Sequence, residues 1–280
     1  MKIKNHEYFT SKNVSEKTLA IASDIHLSET TNIKDTLELL DTLDRIKPTH
    51  ILLPGDLYNV DSSFQIESSN IADEFIKFAS RIAPIIYVRG NSELKSDFLP
   101  CSFSRNSQLH VLNSSNSLNV GTKYMASFGD MNIAGIDLPL DFYGLTEDEK
   151  VTLLLNKYQV YIRNIARLCQ QSDFNILLCH DPIIIKIADE LKALSNFDLV
   201  VSGHNHGGLV PDVLKPIFKL LGADLDKLYP TFRKGVVEKQ NTKYLISEGV
   251  TKFHAEFGGL AKLERFHEGS IDVVRVLKKN

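Results

Sequence analysis

The sequence predicts a mixed α/β protein folded as one domain, 1–280, with a ligand crevice at the carboxyl ends of its strands. Three observations carry this. Short apolar runs alternate with longer amphipathic ones up to Val88. The rhythm breaks between Leu109 and Asp137 and then resumes. Five of the apolar runs end in side chains able to bind a metal. Such alternation implies a sheet with parallel neighbours and covering helices.

The first strand is Leu19-Ala20-Ile21-Ala22-Ser23. From Lys34 to Ile46, Leu37, Leu39, Leu40, Leu43 and Ile46 recur at near-helical spacing and predict a helix. Ile51-Leu52-Leu53 is a second strand, Glu67 to Ile82 a second helix, and Pro84 to Val88 a third strand. The short stretches His110 to Leu112, Lys123 to Phe128 and Asn132 to Ile136, parted by Ser, Asn and Gly, read as antiparallel strands or hairpins. A long helix follows from Thr146 to Gln171, opened by the capping-box pair Thr146 and Glu149. Phe174 to Cys179 is a strand, a helix runs to about Leu194, and Phe197 to Val201 is another strand. Val237 to Glu248 and Leu260 to Val276 complete the set, giving two strand-rich halves.

Composition narrows the class. Lys and Arg number 32 against 35 Asp and Glu, a net charge of −3, so there is no nucleic-acid footprint and no polybasic membrane anchor. The polar N-terminus lacks the apolar core of a signal peptide, and no apolar run approaches the roughly 18 residues of a membrane span. Cys101, Cys169 and Cys179 cannot all pair and read as reduced thiols of a cytoplasmic protein.

Asp24 and His26 close the first strand, Gly55-Asp56 the second and Gly90-Asn91 the third. His180-Asp181 follows Cys179, and Gly203-His204-Asn205-His206-Gly207 follows Val201. Carboxyl ends of parallel strands face one crevice. The topology therefore gathers Asp24, His26, Asp56, Asn91, His180, His204 and His206: two carboxylates, one amide and four imidazoles. Oxygen and nitrogen donors without thiolate suit Mn, Fe, Zn or Co. Seven donors exceed one ion but fit two sets of four sharing Asp56. Two such ions can hold a hydroxide and clamp a phosphoryl displacement. The D-x-H spacing is expected from alternate strand-end residues pointing the same way. His6, His50, His110, His254 and His267 read as ordinary residues.

These motifs resemble the calcineurin-like metallophosphoesterases, whose pattern is D-x-H, G-D, G-N-H-[DE], H and G-H-x-H. The resemblance runs from Leu19 to Gly208 and more weakly beyond. The segment His204-Asn-His-Gly-Gly-Leu, a Pro-rich stretch and then Lys243-Tyr-Leu-Ile-Ser-Glu-Gly look like one bacterial branch, which includes membrane-linked phosphodiesterases and UDP-diacylglucosamine hydrolases. It implies a four-layer αββα sandwich of two mixed sheets with a dimetal site at one edge. It implies Asp24, His26, Asp56 and His206 for one ion and Asp56, Asn91, His180 and His204 for the other, with Mn as the expected metal. It also implies catalytic roles for Asp56, Asn91 and His204, the nucleophile being a metal-bridged hydroxide.

One departure bears on substrate. Where the family commonly has His after Gly-Asn, this chain has Ser92, which cannot act as a near-neutral acid. That favours phosphodiesters or good leaving groups, with Asn91 and Ser92 as substrate contacts. Asn59 and Asp181 are expected to orient metal-bound imidazoles, and Glu93 is either a further support or a plain helix-start carboxylate. The alternatives are a pyrophosphatase on a nucleotide-linked lipid such as UDP-diacylglucosamine, and a non-catalytic metal-binding scaffold. The segment Leu209 to Tyr229 carries apolar residues at helical spacing. It reads as a helix on the core, with a lid for an acyl chain or a peripheral membrane contact as its functional alternative.

Overall fold

A computed structural model describes residues 1–28, 31–59, 65–95, 105–113, 123–208, 215–220, 222, 230–251 and 269–279. Strands β1 (Lys2–Thr10), β2 (Lys17–Ile21), β3 (His50–Pro54), β4 (Ile85–Val88), β5 (Leu109–Val111) and β12 (Ser270–Lys278) form one sheet, in the order β1-β12-β2-β3-β4-β5. Strands β6 (Met125–Ser127), β7 (Met131–Ile136), β8 (Phe174–Cys179), β9 (Leu199–Ser202), β10 (Gly235–Lys239) and β11 (Thr242–Ile246) form the other, in the order β10-β11-β9-β8-β7-β6. Both are mixed: β12 runs antiparallel to β2, and the β6–β7 and β10–β11 pairs are antiparallel hairpins.

The period-two alternation of strands sorts the side chains into three cores. Ala20, Ile51, Leu53, Ile85 and Tyr87 face helices α1 (Ile33–Ile46) and α2 (Gln65–Ala79). Their neighbours Leu19, Ile21, Leu52, Ile86 and Val88 meet Ile133, Ile176, Leu178, Val201 and Leu245 of the other sheet. Ala134, Leu177, Cys179 and Val200 turn outward against α4 (Gln159–Leu168), through Ile162, Ile165 and Ala166. Three cores between four layers make the αββα sandwich. Arg89, just past β4, donates to Asp137, just past β7 (Nε–Oδ2 3.2 Å), a buried ion pair that joins the two sheets beside the crevice.

Several elements differ from the sequence expectation. The polar N-terminus is strand β1, paired in parallel with β12. β5 pairs in parallel with β4 rather than starting a hairpin, while β6 and β7 are antiparallel as expected. The long helix starts at the expected capping box, where Thr146 Oγ1 accepts the Glu149 N–H. It then runs as α3 (Glu147–Leu153), a π turn (Leu154–Tyr158) and α4. Only short 3₁₀ turns, Pro182–Ile187 and Lys192–Asn196, occupy the expected helix after His180. Ile183, Ile184, Ile185 and Ile187 are all buried, so there is no solvent face for an amphipathic α-helix. Val237 to Glu248 is a hairpin rather than one strand: Gln240 and Asn241 both have positive φ, as a two-residue primed turn requires. Of Leu209–Tyr229 the structure describes α5 (Lys215–Leu220) and Gly222. No residue of α5 is buried, so this part does not pack into the core. The remainder of that segment, Cys101, His254, His267 and Leu260 to Glu268 lie outside the described residues. No helix among the described residues is long and apolar enough to cross a membrane.

Candidate metal centre

The loops after β2 and β3 continue the sheet for a few residues before diverging. Asp24 N donates to Gly55 O at 3.1 Å, His26 N to Asp56 O at 3.0 Å and Leu27 N to Leu57 O at 2.9 Å. Asp24 and His26 are therefore not ordinary strand residues. Both lie in the left-handed region, φ 54° and 50°, as do Asp56 (52°), His204 (70°) and His206 (45°). Non-glycine residues rarely adopt this conformation, and its concentration at five predicted ligands marks a strained functional edge. The expected strand alternation is thus corrected: left-handed turns, not the pleat, aim the D-x-H side chains. The glycines beside them are sterically required. A Cβ on Gly55 would collide with the His180 ring, and one on Gly90 with the Asp56 carboxylate and His180 Nε2.

Two donor clusters result: Asp24, His26 and His206, and Asp56, His180 and His204. In the first, His26 Nε2 and His206 Nε2 are 3.2 Å apart with their rings stacked, and His206 Nε2 lies 3.5 Å from Asp24 Oδ1. Two nitrogens about 3 Å apart match neighbouring ligands of one ion whose bonds are about 2.0–2.1 Å long. Asp56 Oδ2 stands between the clusters, 3.6 Å from His26 Nε2 and 3.4 Å from His180 Nε2. The Asp56 Oδ1 atom accepts the Ser92 N–H at 2.8 Å, which fixes the carboxylate plane. Buried polar atoms normally have partners, yet Asn91 Oδ1 and His180 Nε2 make no hydrogen bond among the described residues. Bare inward-facing donors of these types fit bound metal.

Supporting groups set the tautomers. His26 Nδ1–H donates to Asn59 Oδ1 at 2.6 Å, and His180 Nδ1–H to the Pro54 carbonyl at 2.7 Å, so Nε2 is the ring nitrogen each presents to the clusters, and a metal binding at His180 would displace the Nε2 proton. Asp24 Oδ2 accepts the Ser23 hydroxyl at 2.5 Å, and its carboxylate also accepts the His204 N–H. Asp181 sits elsewhere than expected. It caps the 3₁₀ turn through Ile183 N–H (2.9 Å), pairs with Lys150 Nζ (2.7 Å) and stays 4.0 Å from His204 Nε2, beyond hydrogen-bond range. Ser92 is buried, with its N–H on Asp56.

Burial raises the Asp56 carboxyl, but His180, His26 and the Ser92 N–H overcome it and hold it well below the usual range. Burial lowers His180, and the Asp56 and Asp24 carboxylates reverse this and lift it to about 10. Burial outweighs Asp181 at His204, taking it to about 4, and outweighs Asp24 at His206, so both imidazoles are neutral donors.

Three features were not assigned in the sequence. Glu93 is buried and its carboxylate accepts four backbone N–H groups: Leu57 and Tyr58 (3.2 Å) on Oε1, Asp56 (3.2 Å) and Gly90 (2.7 Å) on Oε2. It thus latches the Gly55-Asp56 loop to the Gly90-Asn91 loop. Tyr143 lays its ring 5.1 Å from His204 and 6.0 Å from His180, with Lys150 above it. Glu248 lies against Gly207. Only Glu93 carried a signal, its position three residues after Gly90.

The profile of the calcineurin-like phosphoesterases matches residues 17–208, and the chain belongs to that family, whose members are dimetal-dependent phosphoester hydrolases. It is 25% identical over 251 residues to the uncharacterized protein YpbG of Bacillus subtilis (strain 168), covering 88% of this chain and 79% of that one. Among solved structures it is similar to a dimetal phosphatase from Danio rerio (TM-score 0.51, 11% identity, 83% of this chain and 87% of that one). It is also similar to the NAD nucleotidase of Haemophilus influenzae (TM-score 0.45, 14% identity, 84% of this chain and 50% of that one). The Danio rerio likeness shows the fold.

Proposed function

We propose that the whole chain, 1–280, acts as one phosphodiesterase domain using two transition-metal ions, Mn foremost and Fe, Zn or Co as substitutes. Asp24, His26, Asp56 and His206 would hold one ion, and Asp56, Asn91, His180 and His204 the other. The observation that carries the diester preference is Ser92. It is buried, is tied to Asp56 and stands where the family pattern commonly has a histidine, so no near-neutral acid is at hand there for a poor leaving group. Bound as a pair, such ions supply an activated water and neutralise phosphate charge. The chain's own part is positioning. Asp56 spans the two clusters, the Asn91 amide steadies a non-bridging phosphate oxygen, and His204 presents a neutral imidazole held against Tyr143. Cytoplasmic residence is proposed from the cysteines, of which Cys169 and Cys179 are buried free thiols.

The test compares bis-p-nitrophenyl phosphate with p-nitrophenyl phosphate on Mn-loaded protein. Both esters release p-nitrophenolate, which needs no acid, so glycerol 2-phosphate is assayed beside them as an ester with a poor leaving group. We expect the diester kcat/KM to exceed that of glycerol 2-phosphate by at least about tenfold, the scale of the missing acid, and to be lost in Asp56→Asn. An equal or better monoester would overturn the diester preference. Metal binding without turnover of any of these esters would favour the scaffold reading.

A further inference from the structure

β1 presents Lys2, Lys4 and His6 at alternate positions, hence on one face. β1 pairs in parallel with β12, and β12 antiparallel with β2, so the start of β1 lies at the edge where β2 leads into Asp24. The backbone records this adjacency. Lys2 N donates to Gly269 O at 3.1 Å, Ser270 N to Gly249 O at 2.9 Å and Val250 N to Ser23 O at 2.8 Å.

Glu248 stands at this edge. Its Oε1 meets Lys4 Nζ at 2.5 Å and Lys234 Nζ at 3.8 Å. Lys2 also acts on it by charge, and the three lysines hold its carboxyl below the usual range although burial pulls the other way. Lys234 arrives by a separate route: Asn205 Nδ2 donates to Phe232 O at 2.6 Å, fastening the segment before β10 to the His204–His206 loop. A Cβ on Gly207 would lie 3.1 Å from Glu248 Cγ, and one on Gly249 would lie 3.4 Å from His206 Nδ1. Lysines from the start and from late in the chain therefore meet one carboxylate beside the Asp24–His26–His206 cluster. Among the described residues, three positive charges gather around this one carboxylate, in a chain that is acidic overall. His6 does not add to the surplus, since it is paired with buried Asp272 at 2.8 Å. Lys234, with its side chain 43% exposed, is loosely held and free to turn toward an incoming anion.

We propose that Lys2, Lys4 and Lys234, organised by Glu248, form an anion subsite at the mouth of the crevice that takes a second phosphate of the substrate. The preferred substrates are then small phosphodiesters carrying a further phosphate group. This rests on the phosphodiesterase reading above. A cationic rim raises local substrate concentration and its effect weakens with salt.

The experiment uses the full Mn-loaded chain and two esters with the same leaving group and scissile bond. These are the p-nitrophenyl ester of thymidine 5′-monophosphate and the 5′-p-nitrophenyl ester of thymidine 3′,5′-bisphosphate. The measured quantity is the ratio of their kcat/KM values. The wild type should favour the bisphosphate ester roughly three- to tenfold at low salt, the scale of one or two exposed ion pairs. Lys234→Gln combined with Lys2→Gln should bring the ratio close to one. Glu248→Gln should raise it, an opposite sign that damage to the fold would not produce. Lys77→Gln, an exposed lysine on α2, should leave it alone. A wild-type ratio of one, or a preference that survives the double lysine variant, overturns the subsite. If neither ester turns over, the phosphodiesterase reading falls, and calorimetry decides the subsite separately. Tighter binding of thymidine 3′,5′-bisphosphate than of the 5′-monophosphate, lost in the lysine variant, upholds it, whereas equal binding overturns it.

Discussion

Glu93→Gln isolates the latch between the two metal-binding loops. The change keeps the shape of the side chain and replaces one oxygen by an NH₂ group. Whichever oxygen is replaced, two of the four N–H groups lose their acceptor: either Leu57 and Tyr58, or Asp56 and Gly90. A buried donor left unsatisfied costs about 1–3 kcal/mol, so the variant should lose roughly 2–5 kcal/mol. At about 2–4 °C per kcal/mol for a chain of this size, the melting temperature should fall by roughly 5–15 °C. Burial and the Asp56 charge lift Glu93 to about 7 despite the N–H groups that oppose them. The comparison is made at about pH 8, where the wild-type carboxylate is ionised; holding that buried charge itself costs stability that the neutral glutamine avoids, so the net loss lies toward the low end of the range. Urea unfolding with and without Mn reads stability, and titration calorimetry reads Mn affinity, which should drop about tenfold or more as Asp56 and Asn91 lose their common support. A variant within about 0.5 kcal/mol of wild type, with unchanged Mn affinity, would refute the latch.

Asn59→Ala removes the acceptor that fixes the His26 tautomer, and should weaken Mn binding by about 10–100-fold while shifting stability little; unchanged affinity by calorimetry would count against that role. His50 gives a pH prediction away from the site. Burial, with Lys17 and His110 adding to it, lowers His50 to about 4, and its ring packs 4.5 Å from Phe128. Above the unfolded value of about 6.5 the imidazole is neutral in both states; below it the unfolded chain takes the proton first. Stability is therefore present above about 6.5 and lost as pH falls from there through about 4, by about 1–2 kcal/mol once partial solvent screening is allowed for. Urea unfolding at both ends of that window should show a smaller loss in His50→Gln than in wild type, and equal losses would contradict the assignment.

The strand-end motifs were legible because each joins an apolar run to a residue type with one dominant chemistry. Asp24, Asp56, His180 and His204 could be gathered to one edge by topology alone, and α1 and the Thr146 capping box follow from local pattern. β1 was not legible. Its sequence KIKNHEYFT is an edge strand with one exposed face and charges that guard against aggregation, so its pattern resembles a polar leader. At three residues, β5 is too short to show whether it pairs in parallel. The isoleucines after Pro182 look helical in number, but burial on every side selects tight 3₁₀ turns. The left-handed φ values at the ligands are not legible in sequence, because Asp and His, though enriched there among non-glycine residues, adopt that region in only a small fraction of cases. Glu93 and Glu248 depend on contacts between loops far apart in the chain.

Asp56 is proposed to join two ions at one edge of the sandwich. Metal content per chain after Mn reconstitution and removal of loosely bound ions tests it most directly, in wild type and Asp56→Asn. Two ions per wild-type chain are expected, with loss of at least one in the variant. A wild-type chain that retains a single ion or none, or an Asp56→Asn chain that still holds two, would contradict it.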